Sequence, residues 1–247
     1  MSPTASLVTV VLMVADLIVF SFFSFSFYLP VHSRLLIPHA HTGTPPLRFT
    51  HWILFRIITT ATAYFLFSFF YSLISLIFRV PFTLPPCASL APCRGTAYGR
   101  ASFPVYWALN FVGTLALGFP CENVGMIVGF PYLAIWLIFW VITNVVVSLY
   151  AIPLAPAFYR YGYAWPVFHI VRGSRTLLFD TKSYIGVDFG VLFAWAVVSI
   201  LLFPFCCRFA AWKMLRERER EGRVGREETR REREVRTGSV VRNEYDE

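Results

Sequence analysis

The segment VDFGVLFAWAVVSILLFPF, residues Val187–Phe205, carries one charged side chain, Asp188, and is otherwise apolar apart from one serine. A transmembrane helix needs about 20 mostly apolar residues, because a helix rises about 1.5 Å per residue and the hydrocarbon core is about 30 Å thick. The segment therefore predicts a membrane-spanning helix that ends near Pro204.

Four segments upstream have a similar composition: Leu7–Leu29, His51–Phe78, Phe103–Phe119 and Val124–Tyr150. Of the chain's 22 Lys/Arg and 14 Asp/Glu, only 10 and 4 precede Arg208, and 57% of all residues are hydrophobic. This composition excludes a soluble enzyme, a secreted disulfide scaffold and a DNA-binding domain, so we expect membrane lipids and no nucleic acid as partners. We predict an all-α polytopic membrane protein with about five transmembrane helices.

The distribution of charged residues predicts the domain boundaries of the chain and its orientation in the membrane. Residues 1–6 form a short lead, residues 7–207 the transmembrane domain, and residues 208–247 a tail that holds 12 of the 22 Lys/Arg. Because cytoplasmic segments carry an excess of Lys/Arg, we predict that the tail and a tight turn at Pro120–Asn123 are cytoplasmic. The tail's RERERE run is typical of a solvated charged helix or a disordered segment, with partner recognition as the alternative.

The segment 151–186 conflicts with this topology. A five-span arrangement places it outside, although it carries four basic residues, Arg160, Arg172, Arg175 and Lys182. Residues 152–171 are too apolar and proline-interrupted for a solvated loop and too broken for a simple span. We therefore expect this segment to re-enter the membrane before the last helix.

The chain contains no phosphate-binding loop, dinucleotide fingerprint, zinc-binding HExxH or kinase signature. We accordingly expect no enzyme activity, no cofactor, no metal and no ATPase of its own. Cys87 and Cys93 are predicted to lie outside, either paired or as free thiols. Cys206 and Cys207, next to Arg208, are either sites of S-palmitoylation or ordinary buried thiols.

Polar residues inside predicted spans, in the predicted turn between the third and fourth spans, or at the start of the fifth span are candidate functional positions, because each costs a few kcal/mol near the bilayer centre unless it is paired or hydrated. These residues are Asp16, Glu122, Asn123, Asn144 and Asp188. One interpretation is a polar path for substrate or protons. The other is structural: an ion pair of Asp16 with Arg56, or capping of the fourth span by Asn123. The Gly125/Gly129 and Gly186/Gly190 spacings indicate close helix packing.

Similarity to a known family rests on three strings near the end of the membrane region: FYRYGYAWPVFHI (Phe158–Ile170), RTLLFDTK (Arg175–Lys182) and GVDFGVLFAWAVVSILLFPF (Gly186–Phe205). Four further strings support it: YFLFSFFYSLISLIF (Tyr64–Phe78), FPVYW (Phe103–Trp107), GFPCEN (Gly118–Asn123) and WLIFWVITNV (Trp136–Val145). In these strings the chain resembles the fungal nitrosoguanidine-resistance (SNG-type) membrane proteins, a domain-of-unknown-function family. The resemblance implies a transmembrane region like that of ABC-2-type permeases, with a re-entrant segment before the last span. It implies an N-terminal span and an extracytoplasmic domain that this sequence lacks, and it marks Tyr159, Arg160 and Tyr161 as candidate functional residues.

The resemblance implies a permease-like protein without its own ATPase, which contributes to drug or toxicant resistance or export at the plasma membrane. ABC-2-type folds commonly work in pairs, so by analogy we expect a homodimer or assembly with other membrane proteins. The alternative is a non-transporting regulator of plasma-membrane lipid organisation that acts through helix contacts and the charged tail. An intramembrane enzyme is least favoured, because no carboxylate pair or metal set is spaced for catalysis.

Overall fold

The computed structural model describes residues 48–77, 102–149, 152, 156–179 and 184–245, and every element in these ranges is helical. The elements are α1 (Phe49–Ile77), α2 (Ser102–Val128), α3 (Phe130–Leu149), a 3₁₀ segment (Ala157–Ala164), α4 (Pro166–Phe179) and α5 (Ile185–Tyr245). The predicted span Leu7–Leu29 with Asp16, and the pair Cys87 and Cys93, lie outside the described residues.

Three of the described helices are long and apolar enough to cross a membrane: Phe49–Ile77, Ser102–Val128 and the Ile185–Arg231 part of α5. The apolar part of α3, Tyr132–Ser148, is shorter. The prediction of an all-α membrane protein is therefore confirmed for the described residues. The count of five spans stays a prediction.

The predicted tight turn at Pro120–Asn123 is wrong, because α2 continues through these residues to Val128. Pro120 lacks one backbone N–H but does not end the helix. The chain instead reverses at Gly129, whose φ of 90° is a left-handed conformation that favours glycine, and whose N–H donates to the Gly125 carbonyl at 2.9 Å. Gly129 therefore ends α2, and the fourth predicted span begins at Phe130 rather than Val124.

Helix α2 lies at the centre of the bundle and packs against α1, α3, α4 and α5. In its most apolar stretch 67% of the residues are buried, against 22% in α1 and 28% in the apolar part of α5. A larger core surrounds Leu109 and Trp140, and a smaller one surrounds Phe119 and Phe203. The outer helices consequently turn apolar faces outward, as lipid contact requires.

The outward faces carry large hydrophobic side chains along much of the length of α1, α3 and α5. Examples are Phe55, Ile58, Leu66, Ile135, Ile138, Ile142, Val197, Leu201 and Phe205. In water such surfaces would be aggregation-prone, whereas acyl chains solvate them at no cost. The exposed faces therefore agree with the assignment of these helices to a membrane.

The 3₁₀ segment and α4 fold back against the bundle. Gly162 approaches Val147 of α3 so closely that a Cβ at Gly162 would lie 2.6 Å from the Val147 Cβ. The Trp165 ring lies 5.2 Å from Trp140 of α3 and 5.5 Å from Trp195 of α5. With 14 residues, α4 is about 21 Å long and too short to span a bilayer. Re-entry of this segment into the membrane stays a prediction.

The tail continues α5 as a helix to Tyr245, and its described side chains from Leu215 to Arg231 are exposed. The Lys213 ammonium lies beside Gly129, with the Nζ 3.6 Å from the position of a Cβ there. A lysine at this place faces the negative end of the α2 dipole. The start of the tail and the α2–α3 turn are therefore at the same end of the bundle.

The close approach of α1 and α2 at Gly118 gives a first testable prediction. A Cβ at Gly118 would overlap the buried Tyr64 ring, whereas Gly190 has no atom within 4 Å of its Cβ position. We expect Gly118→Ala to lower the free energy of unfolding by about 1–3 kcal/mol through overpacking. Thermal denaturation of the detergent-purified protein checks this, with Gly190→Ala as the control that leaves the midpoint within a few degrees. Equal midpoints for the two variants would contradict the packing described.

Candidate functional site

Two groups of charged residues are buried in the bundle. The first is the Arg56–Glu122 pair, which joins α1 to α2. The second is the Asp188 cluster, made of Asp188, His169 and Arg172, which joins α4 to α5. Helix α5 contacts Arg56 through Phe203, about 22 Å further along its axis than Asp188. The two groups therefore lie toward opposite ends of the bundle.

In the Arg56–Glu122 pair, Arg56 Nη2 donates to Glu122 Oε2 at 3.0 Å, and the side chains are 0% and 1% exposed. The guanidinium carbon also lies 5.9 Å from the ring centroids of Trp52 and Phe203. Glu122, selected from the sequence as a polar candidate, is thus a partner of Arg56, in the role expected for Asp16.

This pair is only partly satisfied within the described part of the chain. Arg56 Nε and Nη1 and Glu122 Oε1 are buried there without a hydrogen-bond partner. Desolvating two charges can cost more than their attraction returns, unless additional hydrogen bonds satisfy the remaining atoms. A contribution to stability therefore does not by itself explain why this ion pair is buried. Buried ionisable groups in membrane helices are by default functional candidates.

Asn123 and the two adjacent cysteines lie near this pair. Asn123 lies inside α2, so capping of the fourth span is wrong; its Nδ2 donates to the Ser199 carbonyl of α5 at 2.9 Å. The Cys207 Sγ lies 3.5 Å from Met126 Sδ, and both Cys206 and Cys207 are buried. Acylation of either cysteine stays a prediction, and it would require the thiol to leave this packing.

In the Asp188 cluster, three nitrogen atoms converge on one carboxylate oxygen. Asp188 Oδ1 lies 2.8 Å from His169 Nδ1, and 2.9 and 2.7 Å from Arg172 Nε and Nη2. Asp188 Oδ2 has no partner among the described residues. Asp188 is fully buried while the Arg172 side chain is 27% exposed, so the cluster connects the interior of the bundle to its surface.

Aromatic rings flank the cluster on both sides. The Arg172 guanidinium carbon lies 5.1 Å from the Phe168 ring centroid and 5.2 Å from that of Tyr184. Cation–π contacts of this kind stabilise a partly desolvated guanidinium. They hold Arg172 against Asp188 at the junction between α4 and α5.

Two side chains of the bundle form hydrogen bonds with the folded-back segment; one accepts and the other donates. Asn144 Oδ1 accepts from the Val167 N–H at 3.4 Å, in the first turn of α4, where backbone N–H groups have no partner within the helix. Trp195 Nε1 donates to the Ala164 carbonyl at 2.7 Å. Asn144, a polar candidate from the sequence, therefore has a local structural role.

Tyr159, Arg160 and Tyr161 occupy the 3₁₀ segment, and Arg160 is exposed. The Tyr159 and Tyr161 ring centroids are 6.4 Å apart, and Tyr161 lies 6.0 Å from Trp165. The candidates from the sequence therefore fall in three places: Glu122 and Asn123 at one end, Asp188 toward the other, and these three on the folded-back segment.

Sequence reasoning did not select His169 or Arg172 as site residues. Their i, i+3 spacing puts both on one helix face within an apolar stretch, and this signal was available. From the sequence, Arg172 was interpreted only as one of four basic residues in the segment 151–186. Among the described residues, no group of three or more His, Cys, Asp or Glu is placed to hold a metal ion.

Comparisons with known proteins agree with the membrane assignment. Residues 1–201 match the family model described as "Protein of unknown function (DUF3533)". The chain is 30% identical over 198 residues to the uncharacterized endoplasmic reticulum membrane protein YJR015W of Saccharomyces cerevisiae. The match covers 78% of this chain and 35% of that protein, so the chain spans about a third of the length of the relative. No solved structure matches the chain.

The burial of the Arg56–Glu122 pair gives a second prediction. Glu122→Gln leaves the Arg56 guanidinium buried without a counter-charge, and we expect it to lower the free energy of unfolding by about 3–5 kcal/mol. The double variant Arg56→Leu, Glu122→Leu removes both charges and should recover most of that loss. Thermal denaturation of the purified variants measures both effects.

The matched control is Glu227→Gln on the exposed part of the tail, where loss of a surface charge should change stability by about 0.5 kcal/mol or less. If Glu122→Gln denatured at the same temperature as this control, the ion pair would not be buried as described.

Proposed function

The chain belongs to the DUF3533 family, and we propose that it acts as a permease-like membrane domain, without its own ATPase, that contributes to toxicant resistance by export. The single observation that carries this proposal is the burial of charged groups toward both ends of an otherwise apolar bundle. The resemblance to nitrosoguanidine-resistance proteins supplies the class of compound.

In this proposal the two buried charged groups act as gates, one toward each end of the bundle. The Arg56–Glu122 pair ties α1 to α2 near the tail, and the Asp188 cluster ties α4 to α5 about 22 Å away. Opening either end of the bundle would separate one set of charges while the other remains closed. Alternation between two such states is how secondary transporters move a solute without opening a continuous pore.

In this proposal the solute binds between the gates when the bundle opens. Discontinuous helical segments near the bilayer midplane commonly form the binding sites of transporters. Here the end of the 3₁₀ segment brings Trp165 against Trp140 and Trp195. The Nε1 atoms of Trp140 and Trp165 are buried without a hydrogen-bond partner among the described residues. Flat compounds with nitro, nitroso or carbonyl oxygens would suit such donors.

The second candidate function is regulation of membrane lipid organisation without transport. The observation that favours it is the tail helix, whose described side chains from Leu215 to Arg231 are exposed and available to a partner. Under this alternative the tail is required and the buried charges only stabilise the fold. A homodimer or another membrane protein is the partner expected by analogy for either function.

A resistance assay separates the two functions. We expect deletion of the gene to increase sensitivity to nitrosoguanidine. The Arg56→Leu, Glu122→Leu protein should fail to restore resistance when its abundance matches wild type, because the gate near the tail has lost its charges. A protein lacking residues 216–247 should restore resistance, because the tail lies outside the proposed path.

Restoration by the double variant together with failure of the truncated protein would contradict the permease proposal and favour the regulator. Unchanged sensitivity after deletion would remove the resistance role altogether. Growth inhibition across a concentration series, with immunoblots for abundance, provides the measurement.

The yeast relative is an endoplasmic reticulum membrane protein, which bears on the location of this chain. We propose the endoplasmic reticulum membrane for this chain, in place of the plasma membrane expected from the resemblance, with the basic tail on the cytoplasmic side. Imaging of the tagged protein against markers for both membranes tests the organelle. Protease digestion of sealed microsomes tests the side: the tail should be removed, and protection of the tail would reverse the topology.

A further inference from the structure

Both ring nitrogens of His169 face hydrogen-bond acceptors. Its Nε2 lies 2.8 Å from the backbone carbonyl oxygen of Tyr163, which can only accept, so Nε2 carries a proton. Its Nδ1 lies 2.8 Å from Asp188 Oδ1, which already accepts two N–H bonds from Arg172. That oxygen is therefore an acceptor too. Only the doubly protonated, positively charged ring satisfies both contacts.

We propose that His169 is a proton-binding site that controls the docking of the 3₁₀ segment (Ala157–Ala164) on the bundle. With its proton bound, the ring links Asp188 of α5 to the Tyr163 carbonyl of the segment. When the second ring proton is lost, the neutral ring has one N–H group for two acceptors. This inference goes beyond the proposed function, because it holds whether or not the protein transports a solute.

The neutral ring keeps its bond to Asp188 and gives up the bond to Tyr163. A hydrogen bond to an ionised carboxylate is roughly twice as strong as one to a neutral carbonyl. Arg172 Nη2 approaches His169 Nδ1 only to 3.4 Å, against 2.7 Å for its contact with Asp188, so it does not replace the carboxylate. The Nε2 lone pair then faces the Tyr163 oxygen, and the two repel.

Two side-chain hydrogen bonds hold the end of the segment, so the loss of one should weaken its docking. Its last two carbonyls, those of Tyr163 and Ala164, receive side-chain N–H groups from His169 and Trp195. Gly162 is the one residue of the segment that is buried. Release of the Tyr163 carbonyl leaves the Trp195 bond, the packing of Gly162 and the ring contacts of Tyr161 with Trp165 and of Tyr163 with Phe168.

Among the described residues, few other charged groups lie on the elements around His169; the 3₁₀ segment itself carries the exposed Arg160. Besides Asp188 and Arg172, α4 carries the exposed Arg175, and the Tyr184 ring lies against Arg172. The described part of α2 contributes one charged residue, Glu122, which is paired with Arg56 toward the other end, and α3 contributes none. The segment should therefore be docked at acidic pH, where the ring carries both protons, and released as rising pH removes one of them.

Hydrogen exchange of the full chain in detergent, measured by mass spectrometry between pH 5.5 and 8, tests this proposal. Rates are divided by the intrinsic chemical rate at each pH. We expect protection of residues 157–165 to fall about tenfold or more across this range, while residues 189–200 of α5 keep theirs. His169→Gln, which donates one bond and cannot titrate, should show a flat profile. His51→Gln, at an exposed position on α1, should behave as wild type.

A flat wild-type profile with α5 still protected would overturn the proposal, and so would a pH-dependent profile in His169→Gln. If that variant does not fold, ¹⁵N-histidine spectra of the wild-type chain decide instead. A ring that stays neutral at pH 5.5 overturns the proposal, and a ring that loses its proton together with the loss of protection supports it.

Discussion

A guanidinium can be buried in an apolar bundle only together with a counter-charge, and the pairing of Arg56 with Glu122 meets this requirement across α1 and α2. This pairing constrains the positions of three helices. Glu122 points to Arg56 and Asn123 points to the Ser199 carbonyl from consecutive positions of α2, so the helix must stay regular through Pro120. Phe203 of α5 closes over the guanidinium, which fixes the third helix against the first two.

The need to pair a buried charge also determines the packing at the other end of the bundle, but between different elements. Asp188 begins α5 in a buried position, and its partners come from α4, which folds back against α5. The cluster therefore connects two elements that are close in sequence, whereas Arg56 and Glu122 are 66 positions apart. One buried carboxylate holds the bundle together over long range, and the other holds a local hairpin.

Composition was enough to predict helices in a membrane, and the predicted span His51–Phe78 agrees with α1 (Phe49–Ile77) to within two residues. The boundary between α2 and α3 could not be predicted in this way. Pro120 is visible in the sequence as a helix breaker, but the partner of Glu122 lies in another helix and is visible only in three dimensions. For the same reason Asp188 was a candidate while His169 and Arg172 were not. Their spacing shows one face of a helix, but not that α4 turns that face toward α5.

Helix α5 runs without interruption from Ile185 to Tyr245, a length of about 90 Å. Pro204 lies inside it and removes one backbone hydrogen bond, while Cys207, Ala210 and Ala211 beyond it are still buried against the bundle. The part of α5 beyond Ala211 is thus a lever arm of about 50 Å. A tilt of about 10° at its base displaces the far end by about 9 Å, so a small movement of the bundle becomes a large one at a distance.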